Sequence, residues 1–555
     1  MKKGVSMANA RPHFAGGFLG IALFLITTLS LTPAYGENAT GSVNLNVNHQ
    51  RLDGFGAAGA WYEGYVTSQG GSIYNVLFRD LGLDIYRIRN TYQVEGGSYM
   101  TNTSTIVSNA NASLGHPIRV MISSWSPPAS LKSNGSTREG TLARDAGDPN
   151  NSAPYYYEYK AFADWWRDSL IAWSNAGVNA YYINMQNEPG FTSPYWDTCR
   201  FDPTENSSWA GYKQAFAALY ADINAPPDRP LLLAPEHQSI SGTTNYVSAL
   251  NATDKSNVYG YSHHLYGDGD PNYPDSFISR MTSIKSALAG DGKPLMQTEY
   301  SRGGLTDQWA NAMNLATLMH NALTVEEVSA YLYWELFWPS DGEPLVTVTP
   351  SSYTINPVYY AFKHFSYFTD PGWYRVDANT TSSNLRISAY KTPYDTNLAI
   401  VIINTSSSAD VSLTLSLTGF VSPATWLTNE MYRSTSTSYW ASLGQFNPYQ
   451  PLLIPAQSIT TIHLVTYQTC AEVQYYGYWL DSDLNGDCYV DYLDLMIMAE
   501  NWLRSDCSYL NEFCDYTDYP WGEGDGKVNF IDVSVFASLW MQCDNPQDAN
   551  CTPNW

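Results

Sequence analysis

From residue 51 onward, short apolar, β-branched and aromatic runs alternate with longer stretches of helical period. Eight of the runs read as strands, at 52–59, 83–89, 118–125, 180–188, 231–236, 258–264, 294–299 and 330–335. The segments between them, such as 159–173 and 310–323, repeat apolar residues with the period of a helix packed by one face. Eight strands alternating with helices across 51–357 predict an α/β fold, a (β/α)8 TIM barrel.

After 357 the period changes. Runs at 385–390, 398–403, 411–417 and 459–465 are short, β-rich and separated by Ser, Thr and Asn turns, which predicts a side β-sandwich over 358–466. The alternating run 42–47 is expected to join it as an N-terminal strand within 37–50. A third, small helical unit at 471–555 holds an internal repeat. Its first copy, Asp483-Leu-Asn-Gly-Asp-Cys-Tyr-Val-Asp-Tyr-Leu-Asp494, sets Asp483, Asn485, Asp487, Asp491 and Asp494 at positions 1, 3, 5, 9 and 12. That is the spacing with which an EF-hand-like loop wraps Ca2+. The second copy, at 521–532, offers Glu523, Asp525, Asn529 and Asp532, with the non-ligating Trp521 at position 1. Apolar helical runs follow both loops, at 495–503 and 533–541.

Composition adds a compartment and excludes some partners. The net charge of −24 argues against nucleic acid as a partner. Lys2, Lys3 and Arg11 precede an apolar stretch at 15–26, and small residues end it at 34–36. Residues 1–36 therefore read as a secretory signal peptide, with no further membrane span, and the protein is expected outside the cell or at its surface. Cys199 stands alone in the first 469 residues and reads as an idle thiol. The other six cysteines crowd the C-terminal unit, which suggests up to three disulfides with the pairing open.

The chemistry centres on strand ends. Ala180-Tyr-Tyr-Ile-Asn-Met-Gln-Asn-Glu-Pro-Gly190 carries Glu188 and Asn187 from an apolar run onto a turn, and Glu299 ends the seventh run. In a closed barrel both ends face one cleft, and two carboxylates there suit glycoside cleavage with retention. The excess of aromatics, with Tyr 43 and Trp 18, suits flat ligands such as sugars. A carbohydrate-binding protein without catalysis would need neither glutamate.

Asp53-Gly-Phe-Gly56, Ser124-Trp-Ser-Pro-Pro128 with Leu131-Lys132, Gln186-Asn-Glu-Pro189, His264-Leu-Tyr-Gly267 and Thr298-Glu299 together resemble glycoside hydrolase family 30, over about residues 40–466. The resemblance implies Glu188 as acid/base, Glu299 as nucleophile and Asn187 on the sugar 2-hydroxyl. It also implies Arg87 beside the nucleophile, Tyr266 donating to it, His264 as a cleft hydrogen-bonder, and Trp125 and Trp334 as sugar-site walls. No catalytic cofactor is implied. The motif set is most similar to the bacterial xylanase branch, with β-glucosidic hydrolases (endo-β-1,6-glucanase or glucosylceramidase-like) as the alternative. Paired arginines after the eighth strand mark glucuronoxylan-specific members; Tyr333-Trp-Glu-Leu-Phe-Trp-Pro339 has none, so strict glucuronate dependence is not expected. The duplicated loops at 478–543 resemble a type I dockerin, which implies calcium and a cohesin-bearing scaffold as partner. Cys488 departs from the usual loop glycine.

Overall fold

The computed structural model describes residues 36–545 except 224–228, 303–306, 341–343, 394, 421–425, 427, 467–469, 471–473, 475–479, 481, 506–526 and 544. Residues 1–35 of the expected signal peptide and the loop residues Glu523 and Asp525 lie outside the described residues. Strands Gly54–Ala58, Ile85–Arg89, Arg119–Ser123, Ala180–Asn184, Leu231–His237, Gly260–His264, Leu295–Glu299 and Ala330–Tyr333 close into a barrel. They are parallel neighbours in chain order, and the eighth pairs back onto the first, Tyr331 opposite Phe55. The eight runs expected from the sequence are the eight barrel strands, all but the fifth shorter than read. The fourth stops at Asn184, so Met185 to Glu188 already belong to the loop.

Alternation fills the barrel. Ile85, Met121, Tyr182, Leu233, Met296, Ala330 and Leu332 form one buried cluster inside it. Two residues further along their strands, Arg87, Ser123 and Asn184 share that inward face and form the floor of the cleft. Close packing demands glycine at Gly56, where a Cβ would lie 2.6 Å from the Ile85 carbonyl oxygen. Helices cover the outside. In Tyr159–Asn175 the buried residues Phe162, Trp165, Trp166, Ser169 and Trp173 fall on one stripe, as their spacing requires.

One boundary differs from the sequence reading. Residues Pro357–Ser366 are the barrel's eighth helix, with Phe362 and Phe365 packed on Phe55 at ring distances of 6.1 and 6.5 Å. Strands of the side unit begin only at Tyr374. That unit is a nine-stranded sheet in which Glu37–Arg51 lies between Tyr374–Thr380 and Val411–Thr418. Strand Asn397–Asn404 is buried on both faces. Leu398, Ile400 and Ile402 enter the side unit's own core, whereas Ala399, Val401 and Ile403 join the barrel's outer core. A continuous apolar run is what that position requires.

In the C-terminal unit, helices Tyr492–Glu500 and Phe530–Ser538 each begin on a capping box, Asp491 with Asp494 and Asn529 with Asp532. Cys470 and Cys488 form a disulfide, and Cys543 is disulfide-bonded as well. Cys488 has φ +65°, the left-handed conformation that glycine would otherwise supply. Among the described residues no helix is long and apolar enough to cross a membrane.

Candidate active site

The three glutamates at the mouth of the barrel are all aimed by irregular backbone. Glu188 has φ +46° and donates its amide to the Glu236 carbonyl at 2.9 Å. Glu236 has φ +63° and sits where the fifth and sixth strands slip register, between Pro235 and His237. Glu299 follows a similar slip against the sixth strand, between Gln297 and Glu299. Such bulges re-aim a side chain that regular alternation would send elsewhere. Gln186 holds the Glu188 turn in place, donating Nε2 to the Trp125 carbonyl at 2.7 Å and to the Asn187 carbonyl at 3.0 Å.

The site residues expected from the sequence converge. A carboxylate oxygen of Glu188 and one of Glu299 lie within 4.8 Å of each other, with a His264 ring nitrogen equally near. Arg87, wholly buried, donates Nη1 to Glu299 Oε2 at 2.6 Å and Nη2 to Asn187 Oδ1 at 2.6 Å. Tyr266 donates its hydroxyl to Glu299 Oε1 at 3.2 Å, and burial beside Glu299 keeps that phenol well above its usual range, hence protonated. His264 Nδ1 stands 3.1 Å from Glu188 Oε1 and 3.7 Å from Glu299 Oε1.

The electrostatics follow from burial opposed by charge. Burial alone would discharge His264, yet Glu299, Glu188 and Glu236 hold its pKa at about 9, so it is an imidazolium at neutral pH. Burial pushes the Glu299 carboxyl above its ordinary range and the Glu188 charge adds to this, while His264 and Arg87 pull the other way. With a guanidinium at 2.6 Å and a tyrosine hydroxyl on the other oxygen, the anion of the pair belongs on Glu299. Three carboxylate and imidazole groups this close could hold a metal by donor type alone. The Arg87 charge on the same oxygens disfavours one.

Aromatic residues wall the cleft. Trp125 and Trp334 lie 5.9 Å apart, tilted by 34°, and Trp125 also covers the Arg87 guanidinium at 4.7 Å. Between them stands a residue that the sequence reading passed over. Trp61 touches Trp125, Trp334, Trp196 and Trp338, and Arg89 lies 4.1 Å over its ring. Its signal was the nearness of Gly59-Ala-Trp61 to the end of the first strand. Glu236 was likewise visible as a third strand-end glutamate. A cavity of about 380 Å³ opens beside Glu188 and Glu299, lined by Tyr266, Tyr300, Ser301, Arg302 and Trp334. Arg302 donates to Asn272 through Nη2, while its buried Nη1 has no partner among the described residues.

No protein-family model matches the chain. It is similar to the glucuronoxylanase XynC of Bacillus subtilis strain 168, at 25% identity over 463 residues, 80% of this chain and 96% of that protein. Among solved structures it is similar to the glycoside hydrolase family 30 subfamily 8 xylanase Xyn30A of Clostridium acetobutylicum, with TM-score 0.58 and 24% identity. That likeness covers 77% of this chain and all of the other. The protein is a glycoside hydrolase with the family 30 fold. The endo-β-1,6-glucanase BT3312 shares the fold as well, with TM-score 0.58 and 17% identity over 77% of this chain and 94% of that one. In this hydrolase the barrel and side sheet thus carry a shared scaffold, and the substrate must be argued from the cleft.

Two further residues singled out in the sequence are scaffold. Lys132 is buried and donates Nζ to the Glu139 and Thr198 carbonyls, each at 2.6 Å, tying the loop after the third strand to that after the fourth. Cys199 is buried and its thiol is pushed up to about 11, which agrees with an idle cysteine.

Proposed function

We propose that the protein is a secreted, retaining xylanase that cleaves β-1,4-xylan by double displacement. The observation that carries this is the buried contact of Glu299 with Arg87 and Tyr266, set within 4.8 Å of Glu188. Carboxyl groups this close leave no room for an intervening water, which favours a covalent glycosyl-enzyme over direct displacement. Glu299 attacks the anomeric carbon as Glu188 protonates the leaving oxygen; Glu188 then takes a proton from the water that releases the sugar. Asn187 Oδ1 is committed to Arg87, so its Nδ2 is the group to donate to the 2-hydroxyl. Trp125, Trp334 and Trp61 stack the flanking sugars.

The glucuronoxylanase similarity supports xylan, and Arg302 is the guanidinium beside the cleft that could accept an anionic branch. With no arginine in 333–339 we hold that such a branch is accepted and not required. Product analysis on glucuronoxylan, arabinoxylan and linear xylooligosaccharides, with the product anomer followed by NMR, tests substrate and stereochemistry together. Inertness on all three, with release of sugar from a β-1,6-glucan, would move the assignment to the glucanase reading.

For the C-terminal unit we propose a calcium-binding, dockerin-like module that docks on a cohesin. Asp494 is fully buried and Asp483 nearly so, and Asp483 is pushed up to about 6 by burial, with Asp494 and Asp487 adding to it. Asp483 gathers the amides of Gly486, Asp487 and Cys488, and Asp494 those of Leu484 and Asn485, so the loop is already wound. An all-oxygen donor set crowded with negative charge suits Ca2+. In the second copy, Asn529 and Asp532 cap the following helix.

A further inference from the structure

Glu236 is the last residue but one of a barrel strand, but it lies beneath the cleft with its side chain wholly buried. It sits between the two cations that serve the catalytic pair. Its Oε1 is 3.1 Å from Arg87 Nη2 and 3.4 Å from His264 Nε2. Arg87 in turn holds Glu299 at 2.6 Å, and His264 holds Glu188 at 3.1 Å. Charge therefore alternates along one row, from Glu299 through Arg87 and Glu236 to His264, which ends it beside Glu188. The main chain adds a second link, because the Glu236 carbonyl accepts the Glu188 amide. A purely structural buried acid looks different here. Asp53, at the start of the first strand, accepts from Tyr182 and Tyr259 at 3.2 and 2.6 Å and touches no site residue.

We propose that Glu236 is a positioning residue of the reaction. It anchors Arg87 and His264 from below, keeps His264 in its charged form, and carries Glu188 on its own backbone. Without the anion, two buried cations would face each other, a state that a low-dielectric site disfavours. The groups facing Glu236 from the surrounding elements are Arg87, His264, Glu188, His237 and Tyr212. Burial lowers His237 to about 4, which leaves it neutral, and burial beside Glu236 keeps Tyr212 protonated. Arg87 and His264 are thus the cations available to it. Those two and desolvation set its own state: burial opposes ionisation, but the two cations hold the Glu236 carboxyl at about 2.

This rests on the glycosidase reading of the site, so the first readout needs no substrate. The His264 ring is titrated by NMR in the full chain, its signal assigned by loss in His264→Gln. We expect an imidazolium at pH 7 in the native protein and a midpoint lower by about one unit or more in Glu236→Gln. On xylan, Glu236→Gln should lose kcat about 10- to 100-fold with KM within about twofold, and Glu236→Asp should recover part of both. A neutral His264 at pH 6 in the native protein overturns the proposal, as does a folded Glu236→Gln enzyme with native kcat and an unmoved midpoint. If Glu236→Gln fails to fold, the native titration and Glu236→Asp decide. A native protein inert on xylan counts against the substrate alone.

Discussion

Arg87 Nη1 lies 2.6 Å from Glu299 Oε2, and neither side chain is more than 7% exposed. The same guanidinium donates to Asn187 and Ser123 and pairs in charge with Glu236 at 3.1 Å, so three acceptors and a second carboxylate depend on one planar fork. A lysine supplies the charge but not that geometry. Arg87→Lys should therefore fold and lose kcat/KM on xylan by about 100-fold or more, in line with removal of a preorganised donor. Arg87→Met should in addition lose about 3–5 kcal/mol of stability, because it strands two buried carboxylates. Steady-state kinetics and denaturant melts on the two variants separate these effects.

Glu188 and Glu299 differ in surroundings, and their variants should differ in kind. Glu188→Ala is expected to lose about 10²- to 10⁴-fold on xylan and to regain turnover with azide, giving a β-glycosyl azide. Glu299→Ala should give the α-azide if rescued at all. An α product from Glu188→Ala would reverse the two roles.

His264 ties stability to pH. Its pKa is raised to about 9 from an unfolded value near 6.5, so its contribution is fully present below about pH 6.5 and is lost as pH rises through 9. Glu236 acts at the other end. Held at about 2, it contributes above its unfolded value near 4.5, and that contribution fades as pH falls toward 2. The native chain should be most stable between these windows. Between pH 6.5 and 9 it should lose on the order of 3 kcal/mol that a His264→Gln chain does not lose. Parallel slopes for both proteins in urea melts across that range would refute the assignment.

What the sequence made legible was whatever repeats or sits on a regular element. The barrel strands were readable because burial on both sides makes them apolar runs, and Glu188 and Glu299 because they close such runs. Strands Thr428–Thr435 and Ser438–Gly444 were not readable; they form an edge hairpin whose residues are mostly exposed or half-buried, so no alternation marks them. Helix Pro357–Ser366 is only ten residues long and buried nearly all round, Lys363 and His364 included, so it did not stand out as a surface helix of the barrel. Trp61 owes its place to positive φ, a property that residue type does not announce outside glycine, and the same holds for the turn of Glu236 beneath the cleft, although its position at a run's end was legible.

Arg302 offers a test of branch recognition. Its buried Nη1 has no partner among the described residues beside the cavity that Tyr266 and Trp334 share, so an anionic substituent there would gain a charge-assisted hydrogen bond. Removing such a bond costs about 1.5–3 kcal/mol. Arg302→Ala should thus lower kcat/KM on glucuronoxylan about tenfold or more while leaving linear xylooligosaccharides within about twofold. Equal losses on both substrates would assign Arg302 to shaping the loop through Asn272 instead.

The calcium loop should be separable from catalysis. Asp483 and Asp494 bind loop amides from both ends of the turn, and the Cys470–Cys488 disulfide holds its middle. A cation would relieve the crowding that raises Asp483, so Ca2+ removal is expected to loosen this unit while the barrel keeps its shape. Chelation, or Asp483→Ala, should abolish a Ca2+-dependent thermal transition and any cohesin binding, with xylan turnover kept within about twofold. The disulfide should leave part of the loop closed without metal, so the unit loosens without unfolding completely. Calorimetry with and without excess Ca2+ reads this directly, and a melting profile indifferent to Ca2+ in the intact chain would remove the cation from the first loop.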